Sequence, residues 1–399
     1  MDIRMMRLLG AALLAGISLG HGFSIDGTAP TVEFKGSTND NPIFAPIKAS
    51  VEDSMNREVK RAFDTTLAMT RTKLAGFKEQ KELAQGFANA NAYSMNSATL
   101  QGFQNYSIFA VATGLMVGVQ APSTSFSYYN KIADDITGKG DLYAGLGAGL
   151  SYMNVGLNAR FLHPGLYLNA KYGAFDTKIK DFDMKFHVMG VGANYRLLDN
   201  KSFVGLVKWR GVSLGTGFYM QSNKLNMKIK PDSITTQAHF RDAVLSGSTG
   251  ADSLTKEAML QDMGYGKNDP DADVILDPTF NMGLDVTTMT IPFDAVTAVS
   301  VLWGLVNVTA GVGFDLNFGD SKIVLEGVSN ARITSDTTKV AFSPATVRID
   351  GSSDNGPSFA RLRFMTGVGL GLGPVKLDIP LIYYVSSGMA IGLTAAVVW

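Results

Sequence analysis

From Val306 to Asn317 the chain alternates one residue at a time. Val306, Val308, Ala310, Val312, Phe314 and Leu316 interleave with Asn307, Thr309, Gly311, Gly313, Asp315 and Asn317. A period of two places each set on its own face of a β-strand. The overlapping run Ala295–Phe314 is apolar enough to pass for a membrane-spanning helix. A helix, however, would turn Asn307 and Asp315 toward lipid or a helix interface, and a central Asp costs about 2.5–3.5 kcal/mol there. A strand turns both into a wet interior, where they keep their hydration.

The pattern recurs. Leu142, Ala144, Leu146, Ala148, Leu150 and Tyr152 alternate with glycines and Ser151; Leu362, Phe364, Val368, Leu370 and Leu372 alternate with Arg361, Arg363, Gly367, Gly369 and Gly371. Met389, Ile391, Leu393, Ala395, Val397 and Trp399 alternate with Gly, Ala and Thr. Each run is close to the ~9–11 residues that a tilted strand needs to cross a bilayer. A soluble sandwich sets apolar residues against polar ones that face water. Here the second face is small instead, which leaves room inside a barrel or lets another segment pack on the wall. The expected fold is all-β, a transmembrane antiparallel β-barrel of about 14 strands, with a soluble all-β protein as the alternative. A final alternating strand ending in an aromatic, Trp399, is the usual recognition signal of outer-membrane barrels.

Lys plus Arg and Asp plus Glu are equal at 35 each, so no net charge points to nucleic acid. There is no cysteine, which removes disulfides, thiolate metal sites and cysteine nucleophiles. Residues 1–22 read as a cleaved export signal: Arg4 and Arg7, an apolar stretch from Leu8 to Leu19, then Gly20 and Gly22. The alternative, an uncleaved anchor helix, needs ~20 apolar residues. The expected location is therefore the bacterial outer membrane, reached through the periplasm, with outer-membrane lipids and the barrel-assembly machinery as partners.

Val51, Met55, Val59, Phe63, Leu67 and Leu74 recur at helical spacing, predicting a helix to about Ala84. Gln85–Phe103 is rich in Ala, Asn, Gly and Ser, with Phe87, Tyr93, Met95 and Phe103 spaced through it. Residues 23–105 read as a helical plug or hatch, or else as a periplasmic helical domain preceding the barrel. The barrel occupies 106–399, with further strands expected at 165–175, 185–197, 202–221, 279–302, 321–332, 338–350 and 375–385. Gly373-Pro374 and Ser386-Ser387-Gly388 look like hairpin turns. Residues 231–278 form one long polar insertion, whose Asp252, Asp269, Asp271 and Asp273 read as a solvated loop rather than a cation site. Counted back from Trp399, the insertion lies outside only if 279–302 is a single strand, and inside if Pro292-Phe293-Asp294 is a turn.

The closing hairpin, Gly373–Tyr384 into Met389–Trp399, the stretch Trp209–Phe218 and the alternating Ala and Asn of Gly86–Ala92 carry a resemblance. In layout the whole mature chain resembles the FadL-like long-chain fatty acid transporters, although Gln104-Asn105-Tyr106 stand where that family has Asn-Pro-Ala. The resemblance implies passive uptake of hydrophobic molecules such as fatty acids, gated by the hatch and released through a lateral opening. Candidate lumen and hatch residues are Phe87, Tyr93, Phe103, Arg361, Arg363 and Lys376. The three cations would meet a carboxylate by charge-assisted hydrogen bonds, or would simply pair with Asp315, Asp378 or hatch carboxylates. Strand parity points all three inward, the arginines nearer the outside and Lys376 nearer the periplasm.

His163, His187 and His239 have no Ser or Asp beside them in a hydrolase pattern, and no phosphate-cradling loop appears, so an enzyme is not expected. No cofactor or metal is expected either. Two functions compete with uptake: a general diffusion porin, which needs a charged lumen, and a surface-exposed adhesin or antigen barrel.

Overall fold

A computed structural model describes residues 23–35, 40–74, 80–99, 106–120, 145–203, 206–230, 233–265, 272–335 and 339–399. The expected export signal and Phe103, Asp269 and Asp271 lie outside these residues. Among the described residues no helix is long and apolar enough to cross a membrane.

Ten antiparallel strands close a ring among the described residues, each hydrogen-bonded to the next. They are β3 (Phe109–Gln120), β4 (Gly145–Asn158), β5 (Leu166–Ile179), β6 (Phe182–Leu198) and β8 (Val207–Ile229). The circuit continues through β11 (Phe280–Val301), β12 (Val306–Thr334), β15 (Ala360–Leu372), β16 (Val375–Tyr384) and β17 (Gly388–Val398). β17 pairs back onto β3, and the first half of β12 pairs with β15. A barrel is present, then, and among the described residues its ring has ten strands against the fourteen expected. Two of the extra strands are 321–332, which continues 306–317, and 338–350, which belongs to the cap. In the structure β12 is one strand of 29 residues running straight through Gly319, whose φ of +127° is reachable at low cost by glycine. Pro292-Phe293-Asp294 is not a turn either, because β11 pairs with β12 continuously across it.

The ring has two unlike ends. At the Trp399 end the connections are short: 159–165, 199–206 with the small strand β7 (Lys201–Phe203), 302–305, and the Gly373-Pro374 turn. The long connections all lie at the other end, where the far halves of β11 and β12 rise beyond the ring and carry a cap. Its strands are β1 (Phe23–Thr28), β2 (Val32–Phe34), β9 (Ile234–Ala238), β10 (Ala272–Leu276), β13 (Val340–Phe342) and β14 (Ala345–Asn355). Helices α1 (Lys48–Leu74), α3 (Phe240–Leu245) and α4 (Gly250–Met263) pack on them. β14 pairs with the far half of β12, β1 adds to β14, and β2 pairs with β13.

α1 forms because Val51, Met55, Val59, Phe63 and Leu67 fall on one face, and that face is fully buried. It packs with Ile25, Val32, Phe240, Met259, Leu260 and Val274 in a core shared by the whole cap. Phe87, from the helix described below, closes the bottom of that core.

The two faces of the long strands exchange character where ring becomes cap. On β12 the outer face reads Val308, Val312, Phe314 and Phe318, all exposed, and then Lys322 and Glu326; the inner face reads Asn307, Thr309, Asp315 and Asn317, and then Ile323 and Leu325. β11 does the same, with Thr288, Thr290 and Asp294 inside the ring and Phe280, Met282, Leu284 and Val286 inside the cap. The exchange is marked by a lateral row of charges. Asp176, Lys185, Lys224, Asp285, Lys322 and Asp354 are successive cross-strand neighbours on β5, β6, β8, β11, β12 and β14. Within the row Lys185 meets Asp176 at 3.4 Å and Lys224 meets Asp285 at 2.7 Å.

Candidate functional site in the barrel lumen

One segment runs through the ring. Helix α2 (Gln80–Ser94) enters from the cap end and touches β3, β4, β8, β11, β12 and β17. Nearly every residue from Ala84 to Ser94 is buried, so this part of the helix has no solvent face. Its Ala, Asn and Gly composition, with no apolar stripe, suits burial on all sides at close range.

Glycines make the approach possible. Gly145, Gly147 and Gly149 of β4 face in turn the backbones of Gly86, Ala90 and Ser94, and a Cβ at any of them would overlap that backbone. Gly118 of β3 stands likewise against Ala90. The order of these contacts fixes the direction of travel. α2 descends along β4 toward the Trp399 end, where the hydroxyls of Ser97 and Ser151 meet at 2.7 Å and Asn154 donates to the Ala98 carbonyl at 2.7 Å. At the bottom the Ser107 and Ile108 amides donate to the Trp399 carbonyl at 2.6 and 2.8 Å, and the chain turns back into β3.

Amides and hydroxyls hold α2 in place. Asn91 donates to Thr288 at 2.8 Å and accepts from Gln221 at 2.7 Å and Asn223 at 2.6 Å. The Ser358 amide donates to Asn89 at 2.7 Å. Below α2, Lys171 donates to the Met95 carbonyl at 2.7 Å, its ammonium 4.9 Å from the centre of the Tyr219 ring. A polar cavity of about 40 Å³ remains, lined among others by Asn96, Asn154, Asn169, Asn194, Tyr219 and Asp294.

The described residues singled out from sequence separate into four places. Phe87 belongs to the cap core, whereas Tyr93 is fully buried in the lumen. The Tyr93 ring stacks on Tyr384 at 3.8 Å, and its hydroxyl donates to Gln120 at 2.8 Å. Arg363 points inward and is completely buried, with its guanidinium 2.6 Å from Asp294 and 3.1 Å from Asp315. This is the expected pairing with Asp315, joined by an Asp294 whose place in mid-strand was hidden by the turn-like Pro292. Arg361 lies at the cap-side edge of the ring and donates to Ser358. Lys376 lies near the Trp399 end, beside Gly371. The three cations are therefore spread along β15 and β16 and make no common site.

Sequence reasoning passed over Lys171, Gln221, Asn223 and Tyr384. Parity could have pointed Lys171, Gln221 and Tyr384 inward, and Asn223 lies beyond the expected strand 202–221; what they touch depends on α2, which no local pattern reveals. One irregularity also escaped it. β4 pairs with β5 only between Met153–Asn158 and Tyr167–Tyr172, so its upper part, 145–152, has no ladder to β5. The Ala148 carbonyl there accepts side-chain amides of Gln221 and Asn223, each at 3.2 Å. Behind the gap Leu150, Phe175, Phe186, Val188, Met95 and Tyr219 pack together.

Solved structures give low similarity. The translocator domain of the autotransporter NalP from Neisseria meningitidis is 12% identical with a TM-score of 0.27, over 74% of this chain and 90% of that one. The toluene transporter TodX of P. putida is 8% identical with a TM-score of 0.20, over 73% and 90%. Ail, the attachment invasion locus protein of Yersinia pestis, is 6% identical with a TM-score of 0.19, over 62% and 99%. Likeness at that level carries nothing about substrate or topology. No curated protein sequence matches the chain. The model of the Lsa36-like family does match, over residues 41–399, which is nearly the entire chain; the protein therefore belongs to the Lsa36-like family.

Proposed function

We propose that this protein is an outer-membrane barrel that displays its cap on the outer side of the membrane, with its lumen closed by α2. The observation that carries the reading is the apolar belt and its sharp upper limit. On β12 the outer face is apolar from Val306 to Phe318, roughly 40 Å of strand at ~3.3 Å per residue and roughly 30 Å of height once tilted. That matches a hydrocarbon core. An exposed apolar surface of this extent needs lipid or protein to cover it, and the row from Asp176 to Asp354 ends it on one side. Exposed Phe161, Phe203, Trp303 and Trp399 ring the other side, as aromatic girdles do at a bilayer interface.

Sidedness follows from the connections. Short turns belong to the periplasmic end and long loops to the outside, so the cap faces out. Export through the periplasm and insertion by the barrel-assembly machinery are then required, and the belt's direct partners are outer-membrane lipids. A tag in the 246–250 connection between α3 and α4 tests this: antibody labels it on intact cells if the cap is outside. A tag reached only after the outer membrane is opened refutes display.

Passive uptake of hydrophobic compounds is the second reading, favoured by the gap between β4 and β5 and the apolar cluster behind it. It requires a path beside α2, whereas α2 is packed against glycine backbones of the wall and the cavity beside it is small and polar, which favours display. Acyl compounds retained stoichiometrically by the folded, detergent-purified protein, and released on denaturation, would move the balance to uptake.

A further inference from the structure

The course of the chain carries a consequence that display alone does not require. Residues 23–34 and 48–74 lie in the cap, α2 runs down the lumen, and β3 starts from the Trp399 end. If the cap is outside, residues 23–35 and 40–74 have crossed the membrane, and the chain that follows them runs through the ring as α2. We propose that the protein exports its own N-terminal segment, residues 23–74, through its nascent barrel as an unfolded chain. On this view the segment folds only on the far side, and the barrel closes around α2.

Three observations require the unfolded state. The first is timing. β1 has its ladder partner in β14 and β2 in β13, both after residue 339, and α1 packs on β9, β10 and α3, all after residue 233. Within residues 23–74 α1 meets β1 and β2, but neither strand has its ladder partner there, so most of what buries Val51, Met55, Val59 and Phe63 comes from later in the chain, and a helix draws most of its stability from packing of its apolar face. The second is width. The ring interior is filled by one helix, ~10–12 Å across, with glycine backbones already touching it at Gly145, Gly147 and Gly149; a folded α1 with two strands on it cannot pass. The third is the end state. The core that forms on the far side joins Ile25, Val32, Val51, Met55, Val59 and Phe63 to Leu276, Phe280, Leu325, Val347 and Ile349. That burial exists only after crossing, so it makes the crossing directional without any other energy source.

This inference rests on the display reading, and the test separates the two. The chain has no cysteine, so a pair of cysteines flanking a short Gly/Ser loop and an epitope can be inserted at Ala29–Thr31, between β1 and β2. In the oxidising periplasm the pair closes into a covalent loop, and with reductant present during expression it stays open. A second epitope sits at 246–250. With the loop open, both epitopes label on intact cells. With the loop closed, the first is expected to lose at least tenfold of its surface labelling while the barrel still inserts, and a serine-substituted loop labels fully under both conditions. Equal labelling of the closed and open loops overturns the proposal. Labelling at 246–250 but never at 29–31, even with the loop open, overturns it too while leaving display intact. Absence of label at both sites refutes display itself.

Discussion

At the scale of single residues, the lumen is built from contacts that leave no slack. Gly147 faces the Ala90 backbone with no room for a Cβ, so Gly147→Val forces α2 or β4 to move. Overpacking of this kind costs about 1–3 kcal/mol, and a lower unfolding midpoint in detergent is expected. Arg363 is the opposite case, a buried charge answered by Asp294 and Asp315. Arg363→Met leaves the buried Asp315 and the half-buried Asp294 without their cation and is expected to cost about 3–5 kcal/mol, read from the same melts. In the cap, Glu58 is held below the ordinary carboxylate range by its hydrogen bond from Arg61 and, next, by the His239 amide, against the opposing effect of burial. A depressed carboxylate contributes stability that is present above its unfolded pKa of about 4.3 and is lost as pH falls through the lower folded value. The difference in melting temperature between wild type and Glu58→Gln should therefore be largest near neutrality and vanish in acid. A difference independent of pH would assign Glu58 a packing role only.

At the scale of elements, β12 shows how one strand serves two environments. Its alternation never breaks, yet the apolar set passes from the outer face to the inner face as the strand leaves the ring for the cap. If the belt lies in lipid, Lys at Val312 should cost about 2–4 kcal/mol and Lys at Phe318, beside the charge row, about 0–1. Equal costs at the two depths would place the belt against protein instead. α2 is the second instructive element. It has no apolar stripe, and what holds it is Asn91, Gln221, Asn223 and a glycine track rather than a hydrophobic face. Deleting 80–99 is expected to convert a nearly non-conducting protein into an open pore in planar bilayers, because nothing else among the described residues fills the ring. Continued low conductance would mean that another segment closes it.

At the scale of the whole molecule, sequence and tertiary structure contributed different things. The sequence by itself determined the strand faces, the Gly373-Pro374 and Ser386–Gly388 hairpins, the helical character of 51–74, and the inward direction of Arg363. All of these are local, because side-chain parity is a property of the strand alone and turn residues act over four positions. Closure was not local. Whether 306–334 is one strand or two depends on whether Gly319 turns or continues, and glycine permits both; the partners on either side, β11 throughout and then β15 and β14 in succession, settle it. Ring size, the cap built on the extended strands, and the passage of α2 through the lumen each depend on residues hundreds of positions apart. Asn91 meeting Gln221, Tyr93 meeting Tyr384 and β1 meeting β14 have no signature in a period of two or of 3.6, because those periods report which face is buried and say nothing of what covers it.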